Sequence, residues 1–162
     1  MERITMRAKI LIVSVITILS AACNKDQFTT KPQIEFESFN TDVVQPGGQL
    51  LITLKYRDKE GDIQDTIYVE RRAINCTLDT LRTFYPIPTN VPEIKNGEGK
   101  IVISYSHIPD FTFPNIGEPG CGLNDPPGTQ TNDTCIYRFA LSDKAGNTSD
   151  TISSPEVVII KR

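Results

Sequence analysis

From residue 32 onward the apolar residues recur at every second position, and no stretch keeps a helical period for three turns. Leu50, Ile52, Leu54 and Tyr56 alternate with Leu51, Thr53 and Lys55. Ile101, Ile103 and Tyr105 alternate with Val102 and Ser104, and Cys135, Tyr137, Phe139 and Leu141 with Ile136, Arg138 and Ala140. Shorter runs of the same kind begin at Ile34 and Ile67, a weaker one spans 80–85, and residues 157–160 close the chain. A period of two places one face in a core and the other in solvent, so each run reads as a half-buried strand. Pro46-Gly47-Gly48, Gly61, Asn96-Gly97, Gly99, Pro126-Pro127-Gly128 and Gly146-Asn147 separate the runs with turn chemistry. About seven short strands with such turns point to an antiparallel β-sandwich of immunoglobulin-like type, with a small barrel or jelly roll as the alternative. One long insert near 107–134 interrupts the series.

The N-terminus follows another rule. Arg3, Arg7 and Lys9 make a basic start, residues 10–19 are uncharged, and Ser20-Ala21-Ala22 precede Cys23. That order is the order of a secretory signal. The uncharged run is about half the ~20 residues of a spanning helix. Small residues before a cysteine resemble the bacterial lipobox. The resemblance implies cleavage after residue 22 and a lipid on the Cys23 thiol. Ser20 stands where that pattern usually has leucine, a looser form found in the Bacteroidetes. Ordinary cleavage near Ala22 with a free Cys23 thiol is the alternative. Residues 24–31 are polar and aperiodic, and read with Cys23 as a lipidated tether over 23–31. The domain then runs over 32–162.

Removing 1–22 takes Arg3, Arg7, Lys9 and Glu2 from totals of 17 basic and 20 acidic residues. The remaining chain is more acidic, which argues against nucleic acid as a partner. With Cys23 lipidated, three cysteines of the four remain, an odd number in an oxidising compartment. Cys121–Cys135 is the favoured disulfide, since it closes a polar, proline-rich loop of about 15 residues worth roughly 3 kcal/mol in the chain-entropy model. Cys76–Cys121 is the rival.

Two segments resemble Bacteroidetes lipoproteins. LITLKYRDKEGDI over 51–63 is similar to their strand followed by an acidic turn, although Lys59 and Glu60 stand where Gly and Asp are usual. YRFALSDKAGNTSDTISSPEVVI over 137–159 is similar to the closing hairpin of those proteins and of many bacterial Ig-like domains. The resemblance implies an exported Ig-like sandwich and almost nothing about activity.

The acidic turn is the best candidate site. Asp58, Glu60, Asp62 and Asp65 lie on one short connection, and the loops of an Ig-like sandwich would bring Asp58, Glu60 and Asp62 to the pole of Asp143 and Asn147. Oxygen ligands from two loops suit calcium, which takes about six to eight oxygens. Asp58, Glu60, Asp62 and Asp143 are the expected ligands, and a plain solvated turn is the competing reading. His107 is the sole histidine, has no nucleophile elbow or zinc spacing beside it, and reads as structural. No catalytic residue is expected. Asp133 and Tyr137 have the spacing of a tyrosine corner, or Tyr137 is a plain core tyrosine. Thr66, Thr80 and Thr151 each follow an Asp and precede an apolar residue, which resembles the O-glycosylation acceptor of Bacteroidetes. Tyr85, Phe111 and Phe113 form a contact patch or pack inward.

These observations lead to an expectation of a non-enzymatic, lipid-anchored protein of the outer membrane, on its periplasmic or surface face. It would serve as a binding or accessory subunit beside an outer-membrane protein. A carbohydrate-binding module for glycan capture is the alternative.

Overall fold

The structure, a computed structural model, describes residues 29–75, 80–107 and 131–160. Nine strands are described: β1 (Gln33–Phe39), β2 (Val43–Val44), β3 (Gln49–Asp58), β4 (Thr66–Ala73), β5 (Thr80–Pro86), β6 (Gly97–Ser106), β7 (Asp133–Ser142), β8 (Ile152–Ser153) and β9 (Val157–Ile159). All seven alternating runs are strands. The two-residue β2 and β8 were not expected, because two residues are too few to show a period.

The strands form two sheets, ordered β1-β3-β6 and β2-β9-β7-β4-β5, with β8 also on β7. Every pairing is antiparallel except β2 with β9. The sheets share one core, so the fold is all-β and sandwich-like. One sheet supplies Leu50, Ile52 and Leu54, all fully buried, and the other Cys135, Phe139 and Leu141, equally buried. Aromatic rings bridge the layers: Phe39 meets Tyr137 edge-on at 6.2 Å, and Tyr105 stacks on Tyr137 at 5.8 Å.

The outer edge of β7 shows how the chain completes a ladder without a continuous partner strand. β9 pairs with Asp133–Cys135 and β8 with Arg138–Phe139. Between and beyond them two serines act as short strands. Ser154 donates its N–H to the Tyr137 carbonyl at 2.8 Å, and its Oγ accepts the Tyr137 N–H at 2.9 Å. Ser149 does the same for Leu141, at 2.8 and 2.9 Å. Buried backbone groups must be paired, and a hydroxyl can replace a carbonyl as acceptor.

The outer faces carry charge. On one sheet Glu37 of β1 accepts from Lys100 at 2.8 Å and pairs with Lys55 at 3.3 Å. On the other, Glu70 of β4 lies directly opposite Arg82 and Arg138 in register and pairs with both, at 3.4 and 3.1 Å. Such cross-strand pairs specify register more than they stabilise.

Strand directions define two poles. The β3–β4, β5–β6 and β7–β8 connections lie at one pole, and β1 starts there, with Gln33 opposite Arg57. β4 and β6 end, and β5 and β7 begin, at the other. The expected long insert falls almost wholly on 108–130, outside the described residues, as do Cys23, Cys76 and Cys121. The Cys121–Cys135 pairing is therefore not described; Cys135 itself is fully buried on β7.

Candidate metal centre

Two inward rows end in aspartate. On β3 the buried positions Leu50, Ile52 and Leu54 continue through Tyr56 to Asp58. On β7 every second residue from Asp133 to Leu141 is buried, and the next step of that row is Asp143. Because the two rows belong to facing sheets and end at the same pole, their terminal carboxylates are brought together. Asp58 is wholly buried and Asp143 is 1 % exposed. Asp62 completes the group: one carboxylate oxygen from each of Asp58, Asp62 and Asp143 lies within 4.8 Å of the others.

The loop after β3 folds back on its own first residue. Asp58 Oδ2 accepts the N–H of Gly61 at 2.5 Å and of Asp62 at 3.2 Å. Gly61 has φ 77°, and a Cβ there would collide with the backbone of Ile94. Only glycine fits such a position without strain. Lys59 accepts the N–H of Asn96 at 2.8 Å, and Gln64 Nε2 donates to the Val91 carbonyl at 2.7 Å. Across the pole the Lys144 N–H donates to the Asp62 carbonyl at 2.9 Å. The turn after β7 is held by Asp143, whose Oδ1 accepts the Asn147 N–H at 2.7 Å and whose Oδ2 accepts Asn147 Nδ2 at 2.8 Å. Gly146 supplies that turn's positive φ of 86°.

Burial pushes the Asp58 carboxyl above its ordinary value. The Gly61 and Asp62 amides oppose that rise, and the negative charges of Asp62 and Glu60 add to it. Two carboxylate oxygens, Oδ1 of Asp58 and Oδ1 of Asp62, are buried with no hydrogen-bond partner. A buried unpaired carboxylate oxygen is costly, and an ion or a proton relieves it. Asp58 and Asp143 are too enclosed to meet a sugar ring or peptide directly.

The expected ligand set needs one correction. Asp58, Asp62 and Asp143 converge, whereas Glu60 is exposed and outside the group. The turn that directs the Gly61 and Asp62 amides inward to Asp58 leaves Glu60 on its outer side. Asn147 spends its side-chain N–H on Asp143, and Asp65 is exposed. The parity of the two rows puts Asp58 and Asp143 on their inward sides, and that signal is present in the sequence.

Other expected residues are placed as follows. His107 is 5 % exposed, and its Nε2 lies 2.7 Å from the Ile160 carbonyl, so the ring ties the end of β6 to the closing strand. Asp133 and Tyr137 both occupy the inward row of β7. Tyr85 turns inward, edge-on to Tyr105 at 6.3 Å. Its neighbour Phe84 is the exposed aromatic, at 66 %, with Tyr68 beside it at 5.1 Å. Phe111 and Phe113 lie outside the described residues. Thr66 opens β4 half-buried, whereas Thr80 and Thr151 are exposed.

No protein-family model matches the chain, and no curated protein matches it. Among solved structures it is similar to the sporulation control protein Spo0M of Bacillus subtilis, at 14 % identity and a TM-score of 0.41. That match covers 83 % of this chain and 51 % of the other, so the chain spans about half the length of that protein. It is also similar to a β-glucosidase of Listeria innocua solved with gluconolactone, at 11 % identity and a TM-score of 0.34, covering 81 % of this chain and 16 % of that one.

Proposed function

We propose that the mature protein is a lipid-anchored, non-enzymatic Ig-like domain that serves as a binding or accessory subunit of a Bacteroidetes outer-membrane assembly. The strand orders support the Ig-like class: first, third and sixth strands in one sheet, fourth, seventh and ninth in the other. The parallel pairing of β2 with β9 adds to this, since the N-terminal segment then contributes to both sheets.

The observation that carries the functional reading is where β1 begins. Gln33 sits at the acidic pole, opposite Arg57, only a short polar segment after Cys23. At about 3.3–3.6 Å per residue, ten residues reach no more than roughly 35 Å. On this reading the acidic pole is the tethered one, and the pole where β6 ends and β7 begins is the one offered to a partner. A short tether also raises the local concentration of that pole near membrane proteins.

Membrane fractionation of the full chain against Cys23→Ser tests the anchor, and cross-linking from the outward pole tests the partner. The parent should partition into detergent as a lipidated protein starting at Cys23, and cross-link to an outer-membrane protein. A Cys23→Ser chain that remains membrane-bound, or a parent that stays monomeric after cross-linking in native membranes, overturns the reading. Exposed Phe84, with half-buried Tyr68 beside it, favours one second reading, glycan capture by ring stacking. Glycan-array binding lost in Phe84→Ala would support it.

A further inference from the structure

We propose that Asp58, Asp62 and Asp143 bind one calcium ion that clamps the β3–β4 turn to the β7–β8 turn. This goes beyond the anchoring reading and stands without it. Three carboxylates whose oxygens lie within 4.8 Å of one another repel strongly unless a positive charge joins them. Two cations are adjacent in sequence: Lys59, which is exposed, and Lys144, which pairs with Glu93. The hydrogen bonds account for Asp58 Oδ2 and for both oxygens of Asp143, and leave Oδ1 of Asp58 and of Asp62 buried and unbonded. Asp58 is fully buried, so water cannot take the place of a partner by simple exposure. The oxygens are thus desolvated and held in position before any ligand arrives.

The donor set selects the ion. All three ligands are carboxylates, with neither His nor Cys in the group, so zinc and copper are disfavoured. Magnesium demands near-ideal octahedral geometry and dehydrates reluctantly, whereas calcium accepts irregular oxygen shells of about six to eight. Three side chains from two loops leave the other positions to carbonyls and water. The cross-pole hydrogen bond from Lys144 N–H to the Asp62 carbonyl fixes the spacing of the loops that carry the ligands.

The test uses the full chain in detergent, stripped with chelator and titrated with calcium chloride by calorimetry and thermal melting. One saturable site with Kd of about 10⁻⁵–10⁻³ M is expected, from the weak limit of sensor sites to the range of extracellular modules. Calcium at about 5 mM should raise Tm by several degrees, and magnesium at the same concentration should not. Asp62→Asn keeps the volume and should weaken binding at least about tenfold, since affinity follows ligand charge. Asp150→Asn changes an exposed acid paired with Lys31 and should bind like the parent. Absence of both heat and Tm shift in the parent overturns the proposal. So does parent-like affinity in both Asp62→Asn and Asp143→Asn, which would locate the ion elsewhere. Asp62→Asn is the primary variant because Asp58 also supports the fold through the Gly61 amide.

Discussion

Replacing Gly61 by alanine separates two costs that are usually merged. The first is conformational: φ is 77° at Gly61, and an L side chain in the left-handed region costs about 1–2 kcal/mol. The second is steric. The added Cβ would overlap backbone atoms of Ile94, which cannot rotate away as a side-chain tip would. The β3–β4 turn must then withdraw from the 87–96 segment. Two hydrogen bonds cross that contact, Asn96 N–H to Lys59 and Gln64 Nε2 to Val91, each worth about 1 kcal/mol net. The sum is about 3–4 kcal/mol, or roughly 10–15 °C in Tm for a domain of this size. Gly146→Ala supplies the control. Its φ of 86° carries the same conformational cost, but a Cβ there meets nothing within 4 Å. Its loss should stay near 1–2 kcal/mol. Urea unfolding of both variants, in chelator so that no ion contributes, reads the difference. Equal losses would refute the steric argument, and a loss below about 0.5 kcal/mol in Gly61→Ala would refute both parts.

Ser154→Ala removes the acceptor of the buried Tyr137 N–H and should cost about 1–3 kcal/mol in urea unfolding, while Ser154→Thr, which keeps a hydroxyl, should recover most of it. Glu37 gives an acid-side prediction. The Lys100 hydrogen bond, seconded by Lys55 and opposed by partial burial, holds its carboxyl below the ordinary 4.5. A depressed folded value means the contribution is present above 4.5 and lost as pH falls through that lower value. Glu37→Gln should therefore lower stability near neutrality and flatten its fall below about pH 4.5, as read by urea melts across that range.

The strands were legible because alternation is a local property. Each inward row can be counted along the chain without knowing its partner, and all seven rows appear where the count places them. β2 and β8 escaped because a two-residue strand is defined by what it pairs with. Tyr85 illustrates the same limit from the other side. Residues 84 and 85 are neighbours of opposite parity on a weakly patterned strand, and packing against Tyr105 decides which of them turns inward.

The acidic pole divides in the same way. Residue type and row parity, both carried by the sequence alone, put a carboxylate at the inward end of β3 and another at the inward end of β7. The meeting of those ends, the inclusion of Asp62 and the exclusion of Glu60 were decided by tertiary structure. Strand pairing sets the height of each row end, and the close approach of Gly61 to Ile94 sets the turn that sends Asp62 in and Glu60 out. Alternation depends on bonds between neighbours in the chain. Convergence depends on contacts between residues some 80 positions apart, and no local pattern encodes that distance.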